Sequence, residues 1–107
     1  MANNFKLKTK QTTASLVTMY TATSVTTTVI GMTMANISAS SVTASVKIIK
    51  DGGTDIFIIK DAPIAVGSSL VVVGGNQKVV LEADDAIQIA SSVTQTVEVS
   101  LSILEMS

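Results

Sequence analysis

The sequence predicts an all-β domain, a two-layer antiparallel sandwich of about eight strands with jelly-roll-like or immunoglobulin-like connectivity. Three observations carry this prediction: apolar residues recur with a period of two, β-branched residues abound, and glycine, aspartate, asparagine and proline punctuate the chain. Val97, Val99, Leu101 and Ile103 share one parity against Glu98, Ser100 and Ser102. Successive strand side chains point to opposite faces, so this spacing makes one apolar and one polar face. Val42, Ala44, Val46 and Ile48 repeat the pattern against Thr43, Ser45 and Lys47. A helix would scatter both series around its circumference. Abundant threonine and valine reinforce the reading, because branched side chains pack well on a pleated surface.

Residues 1–12 read as an N-terminal arm, basic through Lys6, Lys8 and Lys10, with ordered strands beginning after it. The first strand covers 14–21; Thr18 and Thr21 interrupt it too regularly for the apolar stretch of a signal peptide. Strands over 25–37 and 42–50 follow. Asp51, Gly52, Gly53 and Thr54 form the clearest hairpin turn, since glycine reaches positive φ without strain, and lead into a strand over 55–60. Asp61, Ala62 and Pro63 read as a loop outside the ladder, because proline lacks a backbone donor. Strands over 68–73 and 78–82 flank a turn at Gly74, Gly75 and Asn76. Asp84 and Asp85 are placed to cap a helical turn, but Ile87 and Ile89 alternate with Gln88 and Ala90, favouring a strand over 86–90. A last strand covers 96–105, completing one sandwich domain over 13–107.

A chain of 107 residues suits one core. Hydrophobic residues make up 47% and charged residues only 14%, with net charge -1, so serine and threonine must supply most of the polar surface. A small domain usually stays monomeric with more charge than this, which points to association. Ile48 and Ile49, the run from Ile56 to Ile59 and the run from Val71 to Val73 are apolar on both strand faces, as expected where another subunit covers the second face. Lys6, Lys8 and Lys10 lie near the start, whereas Glu82, Asp84, Asp85, Glu98 and Glu105 crowd the last quarter. The lysines therefore form a candidate partner-binding arm, steered towards acidic surface on a neighbour. Three lysines without arginine are a weak footprint for nucleic acid, and none is expected to bind directly. No apolar run is long enough to span a bilayer as a helix, and no membrane partner is expected.

The chemistry available is narrow. Histidine and cysteine are absent, which removes Ser–His–Asp and Cys–His arrangements and the soft metal ligands. Glu82, Asp84 and Asp85 are a candidate inter-strand turn or weak cation site, since hard cations prefer oxygen; the spacing does not match a twelve-residue calcium loop. Adjacent Asp84 and Asp85 do not make a glycosidase pair. The glycine pairs lack the lysine of a phosphate loop. Sugar-binding platforms need flat side chains, and this chain has no tryptophan, one tyrosine and two phenylalanines. Tyr20 reads as a strand-end residue with its ring in the core and its hydroxyl near water. No cofactor is expected. A structural or interaction role fits better than an enzyme, with a carbohydrate- or calcium-binding module as the competing class.

Several segments occur in an order that resembles small virion structural proteins of tailed bacteriophages. They are Tyr20 with Thr21, the series over 25–37, then Lys60, Asp61, Ala62, Pro63 and Ile64. After these come residues 66–70 (VGSSL), 81–85 (LEADD) and 101–105 (LSILE). Together they span about four-fifths of the chain. The resemblance implies a β-sandwich building block of a capsid or tail, located in the virion and used as a symmetric homo-oligomer, with a trimer expected. Its implied partners are phage capsid or tail proteins. The pattern carries glycine in the middle of the acidic turn, where this sequence has Asp84, and a Pro-Ala-Gly-like turn where it has Thr23 and Ser24. A capsid decoration, or cement, protein is favoured over a tail, neck or fibre-associated one, since no coiled shaft or receptor-binding aromatic cluster is present.

Overall fold

A computed structural model describes residues 3–74 and 77–106, and all regular structure among them is strand. Nine strands form: β1 (Asn3–Gln11), β2 (Val17–Thr21), β3 (Thr26–Asn36), β4 (Val42–Ile49), β5 (Ile56–Ile64), β6 (Ser69–Val73), β7 (Val79–Leu81), β8 (Ala86–Ser91) and β9 (Val97–Met106). One sheet has the order β1-β9-β3-β6, with β7 also paired to β3; the other has the order β2-β8-β4-β5. Every pairing is antiparallel. The chain crosses between sheets at each connection except the β4–β5 hairpin and the step from β6 to β7. That order is a jelly roll and rules out the immunoglobulin-like alternative.

The core lies between the sheets. Val97, Val99, Leu101 and Ile103 of β9 face Val46, Ile87 and Ile89 of the opposite sheet, all at most 2% exposed. The two parity series read from the sequence thus form the inner faces of the strands that carry them.

Four features differ from the sequence expectation. Within the 1–12 segment expected as an arm, Asn3–Gln11 is a strand paired with β9 along its whole length, in register from Asn3 opposite Met106 to Gln11 opposite Glu98. Its alternation of Phe5, Leu7 and Thr9 with three lysines is a strand pattern, and charges turned inward are a common device on edge strands.

β5 continues through Pro63, which sits opposite Thr43. β5 is an edge strand, where proline's missing donor breaks no ladder, and register shifts bend it between Ala44 and Lys47 of its partner. Within that bulge Asp61 adopts φ 52°, and its backbone N–H donates to Ser45 Oγ at 2.9 Å.

β6 and β7 do not form a hairpin. They lie end to end along β3, β6 against Met32–Ala35 and β7 against Thr27–Val29, as two pieces of one edge position. This accounts for nine strands where a jelly roll has eight positions. Of the expected turn at Gly74, Gly75 and Asn76, the last two lie outside the described residues.

Finally, a register shift between Val29 and Gly31 swaps the buried face of β3. Thr27 and Val29 are buried before it, and Met32, Met34 and Asn36 after it. A bulge inserts one residue and so inverts the alternation beyond it.

Candidate assembly surfaces

The acidic turn is tied into the molecule. Asp85 is 2% exposed and accepts hydrogen bonds from Lys50 Nζ at 2.8 Å, the Asp51 N–H at 2.9 Å and the Glu82 N–H at 3.0 Å. Lys50 also pairs with the Glu82 carboxylate. Lys50 above all, then the two backbone donors, holds the Asp85 carboxyl below its ordinary value despite burial; Asp85 and then Glu82 push the Lys50 ammonium up. Asp84 stands at φ 74° and accepts from the Ser24 N–H at 3.0 Å; Ser24 is itself at φ 57°. The two turns where the phage-like pattern carries glycine therefore both adopt the left-handed conformation, and they are bonded to each other. Around Asp85 the donors are a lysine ammonium and two backbone N–H groups.

Lys6, Lys8 and Lys10 lie on the side of β1 that faces inward, in register with Ile103, Leu101 and Val99. Lys6 Nζ is 2.7 Å from Glu105 Oε1, and Glu105 Oε2 accepts from the Tyr20 hydroxyl at 2.5 Å. That hydroxyl also contacts Thr27 Oγ1 at 2.9 Å. Lys6 first and then Tyr20 hold the Glu105 carboxyl below its usual range. Burial, then the hydrogen bond to Glu105, pushes the Tyr20 phenol up to about 12. The ring is in the core as expected, and its hydroxyl is bonded to Thr27 and Glu105. Among the described residues no ion pair joins the β1 lysines to Glu82, Asp84 or Asp85, so the two sequence-predicted groups remain separate.

Because residues directly opposite in antiparallel strands share a face, the register assigns the outer surface of the β1-containing sheet. It carries Phe5 and Leu7 at one edge, Leu104, Ser102 and Thr33 in the middle, and Val71 and Val80 at the other edge. Phe5, Leu7, Val71 and Val80 are each more than half exposed. Among the described strand residues that the register places on this face, Glu98 is the one that carries a charge. A shallow groove of about 570 Å³ crosses its lower part, lined by Thr9, Gln11, Thr33, Ala35, Glu98 and Ser100 among others. The opposite sheet differs: Lys47 and Lys60 each place Nζ 5.3 Å from the Phe57 ring centre, within cation–π range. Sequence reading identified the doubly apolar runs but missed Phe5 and Leu7, although their alternation with lysines was the available signal.

No family model and no curated protein matches the sequence. Solved structures do resemble it. A capsid chain of infectious bursal disease virus, Gx strain, superposes with TM-score 0.57 at 12% identity, covering 96% of this chain and 32% of the viral one. The VP2 subviral particle of the same virus gives 0.53 at 11% identity, covering 95% and 32%. A Bacillus endospore appendage protein, from a family of disulfide-linked pili, gives 0.51 at 14%, covering 98% of this chain and 87% of that one. The chain thus spans about a third of the viral capsid chains and most of the pilus chain. At these identities the shared property is the fold. All of these neighbours come from multi-subunit assemblies.

Proposed function

We propose that this chain is a non-enzymatic structural subunit of a bacteriophage virion, a capsid decoration protein that binds and stabilises neighbouring shell subunits. The observation that carries the reading is the outer face of the β1-containing sheet. Its strand residues carry little charge, and it leaves Phe5, Leu7, Val71 and Val80 each more than half exposed. Monomeric domains seldom leave such a surface open, and a charge-poor surface that combines exposed apolar side chains with hydroxyls suits an interface. The jelly-roll fold shared with viral capsid chains supports the same reading. Lys8 and Lys10, on the inward side of the edge strand, add a basic margin that steers docking onto acidic shell surface. Copies also associate laterally, with a trimer as the expected unit.

A second location is favoured by one observation. The likeness to a pilus subunit covers nearly the whole of both chains, so a tail, neck or fibre-associated layer would use the same sandwich in a stack. Cryo-electron microscopy of the intact particle separates the two. Density for this domain at regular positions on the shell is expected; density confined to the tail would overturn the decoration role.

A further inference from the structure

The two ends of the sandwich differ sharply in chemistry. At one end lie the connections over residues 22–25, 50–55 and 82–85, which carry Asp51, Asp55, Glu82, Asp84 and Asp85 against Lys50 alone. At the other end lie four connections, over residues 12–16, 37–41, 65–68 and 92–96, which hold no charged residue. Each presents one exposed large apolar side chain: Leu16, Ile37, Val66 and Val93, between 38 and 53% exposed.

The polar groups of this uncharged end bond to one another. The Thr12 and Ser91 hydroxyls are paired, and Ser91 Oγ and Thr96 Oγ1 both donate to the Val93 carbonyl. Ser68 Oγ donates to the Ala65 carbonyl at 2.8 Å, and Asn36 Nδ2 bridges the Ser40 and Ile64 carbonyls at 2.8 and 3.0 Å. Gln95, at φ 60°, is held by its N–H on the Thr12 carbonyl at 2.8 Å. The loops are therefore fixed in advance, and their internal bonding leaves the apolar tips as the groups presented outward. Such preorganisation removes much of the ordering entropy that docking would otherwise require.

From this we infer that the uncharged loop end is a second interface, occupied by the same end of a second copy in a two-fold, end-to-end contact. Three points select that occupant. The opposite, acidic end is a poor complement, since its four exposed carboxylates, of Asp51, Asp55, Glu82 and Asp84, would lose water against apolar tips that offer no opposite charge, so head-to-tail stacking is disfavoured. A patch without charge avoids the like-charge repulsion that a two-fold contact imposes when a residue meets its own copy. On the neighbouring strands β1 and β9 the first charges leaving this end, Lys10 and Glu98, have opposite sign, as do Asp61 and Lys60 on β5. Area is also sufficient: the cross-section, 25 by 22 Å, gives a footprint of about 500 Å² per copy and about 1,000 Å² for the pair, the lower bound of specific interfaces.

The inference deepens the assembly reading and rests on it in treating the chain as a subunit; the outcomes below keep the two apart. The full chain and the double variant Val66→Glu with Val93→Glu are compared by sedimentation over a wide concentration range. Both positions are exposed, and circular dichroism checks that the variant folds. The wild-type species is expected to have about twice the mass of the variant, whatever the lateral number. Because the chain has no cysteine, Val93→Cys and Thr54→Cys place a single thiol at the uncharged and acidic ends respectively. A short bis-maleimide should join copies of the first and not the second. Equal masses, or equal cross-linking at both ends, would overturn the inference. Equal masses with loss of particle attachment would mean that the loops meet a different protein, leaving the virion role intact. Halved mass with unchanged attachment would support the contact while removing these loops from shell binding.

Discussion

A carboxylate as enclosed as Asp85 is stable only with donors around it, and three converge there, from Lys50, Asp51 and Glu82. These bonds join the β4–β5 hairpin to the turn by which the chain passes from β7 in one sheet to β8 in the other. The folded-state pKa of Asp85 lies below its unfolded value of about 3.9, chiefly through Lys50. Its contribution is therefore fully present above the unfolded value and is lost as pH falls through the lowered folded value. Glu105, held down by Lys6 and Tyr20, acts in the same sense. Asp85→Asn should lower stability at neutral pH by about 2 kcal/mol, the scale of a charge-assisted hydrogen-bond set. It should also shrink the stability lost between about pH 5 and 2, because the amide has no proton to gain. Urea unfolding across that range provides the check, and an acid limb as steep as wild type would contradict this role. The sequence marked Glu82, Asp84 and Asp85 as a group but not Lys50 as their partner, since that lysine arrives from 32 to 35 residues away.

Strand β1 shows what an edge position permits. All its residues are exposed or half-buried, so it anchors to the sandwich through its ladder with β9 and the Lys6–Glu105 pair rather than through the core. Thr12, by contrast, is fully buried, and its N–H donates to the Val97 carbonyl at 2.9 Å. Removing residues 1–10 while keeping Thr12 should therefore leave the sandwich folded, with a stability loss of about 1–3 kcal/mol from the missing ladder. Attachment to the particle should fall, because Phe5, Leu7, Lys8 and Lys10 leave together. Circular dichroism and occupancy measurements test both halves, and unchanged attachment would exclude β1 from docking. The same element marks where sequence reading stopped. Parity located the core faces of β4, β8 and β9 because their large apolar residues alternate in sequence, even though Ser45 of β4 and Ala86 of β8 are buried beside them. It could not see that β3 changes face at Gly31, that Pro63 belongs to an edge strand, or that β6 and β7 share one line along β3. Each depends on which strand lies alongside, and pairing between distant segments leaves no local mark.

At the scale of the whole molecule, charge is distributed by surface. The acids concentrate at one end, lysines flank Phe57 on one sheet and line the inner side of β1, and the outer face of the other sheet and the loop end are almost bare. A chain with so few charged residues can keep two surfaces bare only by gathering its charges elsewhere, and that segregation argues that the bare surfaces are covered in the assembly. The outer face is the more demanding test, because its apolar residues come from four strands and both edges of one sheet. Leu7→Lys combined with Val71→Lys places an ammonium at each edge of that face without touching the core, since both side chains are well exposed. Folding should be unaffected, with a thermal midpoint within a few degrees of wild type. Binding should weaken by about tenfold or more, because each new charge must be desolvated against an apolar partner surface. Gln88→Lys, on the outer face of the opposite sheet, is the matched control and should bind as wild type. Particle occupancy at fixed protein concentration measures all three. Equal occupancy of the double variant and the control would show that the bare face is not where the particle is held, and attachment would then have to pass through the edges or the loop end.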